Sequence, residues 1–148
     1  MSLLTKSFTN SSVGLLLLRL LLGVVFFAHG AQKVLGWFGG YGLSPTVQFF
    51  EQTWGIPPFL TYLAAFTEFL GGIALVLGFL SRIFSLGLVI KMLVAIFLAH
   101  PPTKGFFSPG GFEFPLALLI IALTVFLLGS GNYSIDDKLF KKPRVNAT

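Results

Sequence analysis

Four stretches of this chain are long and apolar enough to cross a lipid bilayer as helices. They run over residues 13–37, 59–80, 82–100 and 113–129. About 20 apolar residues in helical form span a hydrocarbon core of about 30 Å. Inside that core a helix is the form in which a single segment pairs its own backbone N–H and C=O groups. Composition agrees. Of 148 residues, 55% are hydrophobic and 10% charged, with a mean hydropathy of +0.89. That is too apolar for an ordinary soluble domain and too uncharged for a disordered chain. The expected fold is all-α: a polytopic membrane protein forming a single domain, a bundle of four transmembrane helices.

Local signals set the limits of these spans. Asn10, Ser11 and Ser12 offer capping side chains before the first, and Pro57-Pro58 resets the chain before the second. Pro101-Pro102 stops the third, and Gly129-Ser130-Gly131-Asn132 supplies residues suited to left-handed caps after the fourth. Little beyond Ser81 separates the second and third spans, so those helices are antiparallel neighbours. Four crossings leave both termini on one side. That side carries Lys6, Arg82, Lys138, Lys141, Lys142 and Arg144, against Lys33 and Lys104 opposite. The bias of Lys and Arg predicts cytoplasmic termini, with residues 132–148 as a basic cytoplasmic tail. The net charge of +5 is largely that tail. It reads as an anchor beside an anionic leaflet and not as a nucleic-acid surface, because no folded basic face accompanies it. The first span is longer than a signal-peptide core and contains Arg19, so it is read as an uncleaved first helix. In the first outer loop, Ser44-Pro45 is a helix start, and Val47, Phe49, Phe50 and Trp54 suggest a short interfacial helix. A surface anchor is its simpler role; a lid over the outer mouth of the bundle is its functional one.

Charges inside the apolar runs point to function. Arg19 and His29 lie in the first, Glu68 in the second and Lys91 in the third. An ionised group near the bilayer centre costs about 3 kcal/mol on insertion scales, so such residues face a bundle interior. On the first helix Arg19, Phe26 and Lys33 repeat by seven, as do Leu22 and His29. All five fall within an arc of about 80°, flanked by Gly23 and Gly30. Lys33 is expected to snorkel to the outer interface. Around Glu68 the helical neighbours are Ala64, Ala65, Gly71 and Gly72, which mark a helix-packing face. Lys91, with Gly87 and Ala95 on its face, is placed to pair with Glu68. That pair reads equally as an inert tie or as part of a site. Counting Arg19 and Lys91 against Glu68 leaves an excess positive charge, which calls for an acceptor or for Lys91 to lose its proton. The candidate catalytic residues are thus His29, Glu68 and Lys91, and the candidate cofactor-binding residues are Arg19, His29 and Lys91. His29 suits proton exchange, since a neutral imidazole both donates and accepts. His100, about 180° from Lys91 beside Pro101, is read as an interfacial cap, and Glu113 as complementing the dipole of the fourth helix. The depth difference between the two histidines disfavours a haem site, and no metal is expected. With no cysteine in the chain, dithiol chemistry and thiolate ligation are excluded. Redox chemistry must come from a bound cofactor, for which a quinone is the candidate, from a substrate or from a partner.

Leu18-Arg19-Leu20, then Phe27-Ala28-His29-Gly30-Ala31-Gln32-Lys33, then Glu68 before Gly71-Gly72, resemble the DoxX family of small four-helix membrane proteins. The ending Gly129-Ser130-Gly131-Asn132-Tyr133-Ser134-Ile135-Asp136 is similar to that family's closing segment. The resemblance implies a cytoplasmic-membrane protein and a redox setting: thiosulfate oxidation coupled to quinone reduction in one branch, thiol and oxidative stress in another. It implies no established catalytic set. The leading expectation is a quinone-linked oxidoreductase or a subunit of one. The alternatives are a non-catalytic anchor for a soluble redox partner at the cytoplasmic face, and a small anion or weak-acid transporter acting as a homo-oligomer.

Overall fold

The computed structural model describes residues 11–140. Among these the chain is helical, without strands. The order is α1 (Ser11–Val34), α2 (Leu43–Trp54), α3 (Pro58–Leu77), α4 (Ser81–Leu98), α5 (Glu113–Leu128) and α6 (Ile135–Phe140). A single 3-10 turn, Pro102–Lys104, lies between α4 and α5. Three helices are long and apolar enough to cross a membrane: α1, α3 and α4. Helix α5, 16 residues of almost unbroken apolar sequence, is shorter. Asn10 as a cap, and the basic residues Lys6, Lys141, Lys142 and Arg144, lie outside the described residues.

The ends of the elements follow the local chemistry. Pro58 occupies the first turn of α3, where its missing N–H costs nothing. Gly78 (φ 71°) takes the left-handed position that ends α3, and Phe79 N–H returns to Ala74 O at 2.8 Å. Residues 78–80 then turn the chain back into α4. This three-residue joint is slightly longer than the junction expected at Ser81, because α3 stops at Leu77. The first helix likewise ends at Val34, three residues before the expected Trp37. Beyond it Gln32 organises the connection: its side chain donates to Phe38 O at 3.1 Å, and its carbonyl accepts from Gly42 N–H at 3.2 Å. That fold-back lays α2 against α3 and the end of α1.

Helices α1, α3, α4 and α5 pack in a ring: α1 on α3, α3 on α4, α4 on α5, and α5 back on α1. Leu22, Phe26, Leu75, Leu88, Met92, Leu118, Ala122 and Val125 fill its centre. The outward faces carry exposed Leu, Ile, Val and Phe, as lipid-facing surfaces do. The α1–α3 contact is the tightest. A methyl group added at Gly30 would meet the Phe69 backbone, and one at Gly72 would meet the Phe27 backbone. The glycines expected to allow close approach therefore do so, in both helices. The α3–α4 contact is looser, and a cavity opens there.

Candidate functional site

Glu68 is fully buried at the centre of this arrangement. The close α1–α3 packing brings it beside Lys33, whose Nζ donates to Oε2 at 2.5 Å and also to His29 O at 3.3 Å. From the other side Lys91 Nζ pairs with Glu68 Oε1, as α3 and α4 run past each other. Lys91 Nζ also stands 5.6 Å from the centre of the Phe26 ring, a cation–π distance. Both ammonium groups therefore share one carboxylate. The two lysine side chains remain 19% and 21% exposed, so each still reaches open space.

That space is a cavity of about 800 Å³ between α1, α3 and α4, with the start of α5 at its rim. Its wall is mostly apolar. Lys33, Lys91, His29, Thr61 and Thr67 supply polar groups from three helices, and His100 lies at the outer end. Phe50 and Trp54 of α2 also line it, their rings 4.9 Å apart edge to face. Helix α2 therefore covers part of this opening. His100 Nδ1 is hydrogen-bonded with Gly110 O at 2.9 Å, which ties α4's end to the loop before α5.

Arg19 belongs to a different place. It is 1% exposed, and its guanidinium donates to Ser130 O and Tyr133 O, both at 2.6 Å. Those carbonyls belong to the segment after α5, which is cross-tied further. Ser134 Oγ donates to Gly131 O at 2.6 Å. The Asp136 carboxylate accepts from Leu80 N–H (2.7 Å) and Ser81 N–H (3.0 Å), capping α4 from outside its own sequence. A side chain at Gly78 would strike the Arg19 guanidinium. Arg19 is thus the hub that fastens the closing segment onto α1 and the α3–α4 turn.

Two sequence-based expectations change. Arg19 does not line the cavity beside Lys91 and His29: its guanidinium is occupied by backbone carbonyls that the returning chain brings to it. Lys33 does not snorkel away from the bundle. The glycine-lined contact puts Glu68 within its reach, and a buried carboxylate outcompetes the interface. The Glu68–Lys91 pairing is present as expected, and His29, Glu68 and Lys91 are brought together. The excess positive charge also survives, although Lys33 supplies it in place of Arg19. Sequence reasoning missed Thr61. Thr61 carried a usable signal, standing seven residues before Glu68 on the same helical face.

A family model described as DoxX matches residues 14–101, the stretch that contains Arg19, His29, Lys33, Thr61, Glu68 and Lys91. A Bacillus subtilis (strain 168) protein named "Putative oxidoreductase CatD" is 33% identical over 138 residues, covering 93% of this chain and 93% of its own. Inner membrane protein YqjF of Escherichia coli (strain K12) is 34% identical over 140 residues, covering 88% of this chain and 95% of its own. An uncharacterized protein of Haemophilus influenzae is 31% identical over 132 residues, covering 84% and 90%. No solved structure matches.

Proposed function

This chain belongs to the DoxX family of membrane proteins, and on that premise we propose that it binds a quinone head group in the cavity between α3 and α4 and serves as a quinone-linked oxidoreductase or a subunit of one. The carrying observation is the cavity itself, an apolar chamber of about 800 Å³ whose few polar groups converge from three helices. Lipophilic ligands are held in such chambers by apolar walls, with a few donors to fix orientation. Lys91 has three ammonium protons and one carboxylate partner, which leaves donors for a ligand oxygen. Buried Glu68 holds both lysines in place. His29, exposed at the cavity wall, is suited to exchange protons with the outer phase. A quinone supplies two-electron, two-proton chemistry when bound; this chain's residues orient its oxygens and deliver protons to them.

The same reading places the protein in the cytoplasmic membrane with four crossings, α5 being the shortest, and both termini inside. Arg82 and Lys138 lie at the end of the bundle that holds the closing segment, Lys104 at the other. Helix α2 then lies at the outer interface as a partial lid. The chain has no cysteine and so no dithiol of its own, and in this reading electrons come from a donor substrate or a redox partner. The Bacillus subtilis relative's name, an oxidoreductase, supports this direction.

The chain has two tryptophans, so Trp37→Phe leaves Trp54 as the sole reporter at the cavity wall. Titration of that variant in nanodiscs with ubiquinone or menaquinone should give saturable quenching. Lys91→Met should weaken it about tenfold or more, the scale of one hydrogen bond from a charged donor. No saturable quenching by either quinone would overturn the reading in favour of a membrane anchor for a redox partner.

A further inference from the structure

Hydroxyl groups on apolar helices ordinarily return their proton to the carbonyl one turn back. Among the described residues Thr46 does so to Gly42 O (2.7 Å), Ser85 to Ser81 O (2.6 Å) and Thr124 to Ile120 O (2.8 Å). Two buried hydroxyls do not: that of Ser81, at the first position of α4, and that of Thr61. Thr61 Oγ1 is buried without a hydrogen-bond partner, and the residue is 1% exposed. The reason is local. One turn back stands Pro57, whose carbonyl already accepts the N–H groups of Leu60 (3.0 Å) and Thr61 itself (3.4 Å). Both lone pairs are taken, and the hydroxyl is left over. Buried polar groups without partners are rare because each one costs free energy. Thr61 is among the residues that line the same cavity as Lys91.

Resting on the quinone reading above, we propose that Thr61 is the second hydrogen-bond donor of the site, and that the cavity takes a ligand with two oxygens on opposite sides of its ring, one directed to Lys91 and the other to Thr61. The spacing supports this. Thr61 stands two helical turns from Glu68, about 10.5 Å along α3, and Glu68 is where the Lys91 ammonium is held. The para oxygens of a quinone ring are roughly 5 Å apart. A hydrogen bond of about 3 Å at each end completes a span of similar length. A one-oxygen head group would engage Lys91 and leave Thr61 unpaired.

The test compares 1,4-naphthoquinone with 1-tetralone, which keeps one ring carbonyl, by Trp54 quenching in the Trp37→Phe background. Thr61→Val should weaken naphthoquinone binding about tenfold and leave tetralone binding unchanged. Thr61→Ser, which keeps the hydroxyl, should bind naphthoquinone as the parent does. The ligand-free Thr61→Val protein should melt no lower than the parent, since it loses an unpaired hydroxyl and keeps the shape. Equal naphthoquinone affinity in parent and Thr61→Val would overturn the assignment while leaving the quinone reading intact. Absence of naphthoquinone binding by the parent, with ubiquinone and menaquinone also inert, would overturn both.

Discussion

Each buried charge here is explained by the acceptors within its reach. Glu68 has two ammonium partners, so loss of either still leaves it paired. Lys33→Met and Lys91→Met should therefore each be tolerated. The double variant strands a buried carboxylate, and the two effects should be non-additive, with a further loss of about 3–5 kcal/mol. Unfolding of the four proteins in detergent, read as a double-mutant cycle, checks this; simple additivity would mean that Glu68 is not shared. Arg19 has a different vulnerability. Its two bonds to Ser130 O and Tyr133 O hold the closing segment down. Arg19→Leu should cost about 3 kcal/mol or more through two lost bonds from a charged donor. It should also raise protease cleavage in residues 129–136 while leaving quinone quenching of Trp54 unchanged. Loss of quinone binding with an intact closing segment would return Arg19 to the cavity.

Among the helices, the α1–α3 contact does the positioning. Helix α1 is apolar nearly all round, so its hydrophobic pattern does not tell which side faces lipid. Gly23, Gly30 and Gly72 do, because a backbone-to-backbone approach tolerates no Cβ. Gly30→Ala and Gly72→Ala should each destabilise by about 1–3 kcal/mol through overpacking. Both should also weaken the Lys33–Glu68 pairing. Gly14 makes the control: nothing lies within 4 Å of its added Cβ, so Gly14→Ala should be neutral or slightly stabilising. Thermal unfolding of the three variants orders them. A Gly72→Ala protein as stable as the parent would show that α1 and α3 sit further apart than described. On α3, the face that carries Thr61, Ala64 and Thr67 lines the cavity, so small residues there leave room for a ligand as well as for a neighbour.

For the molecule as a whole, orientation is the property to test, and the cysteine-free chain is suited to it. Thr103→Cys and Asn132→Cys place single thiols at exposed positions at opposite ends of the bundle without removing a charge. In intact cells a membrane-impermeant maleimide should label Thr103→Cys. Asn132→Cys should react only after permeabilisation, as expected from the distribution of Lys and Arg. The reverse pattern would invert the topology and put the cavity's α2-covered mouth inside.

The existence and order of α1 to α5 were legible from residues alone, because long apolar runs admit one hydrogen-bonded form and Pro and Gly mark where it stops; α6, in the stretch read only as a basic tail, was not. So was the meeting of Glu68 with Lys91: a short turn forces α3 and α4 side by side, and both charges lie at similar depth. What the linear pattern left open was the choice among partners. A helical wheel gives the direction of Arg19 and Lys33 but not which neighbour stands there. Both are long enough to reach in two directions. Packing settled it: α3 came close enough to α1 to offer Lys33 a carboxylate, and the chain after α5 folded back to offer Arg19 two carbonyls. The cavity, too, lies where α3 and α4 pack less closely than α1 and α3, and the Thr61 hydroxyl is left over where Pro57 O is already in use. A sequence specifies its local hydrogen bonds; the partner of a buried charge is set by distances between elements far apart in the chain.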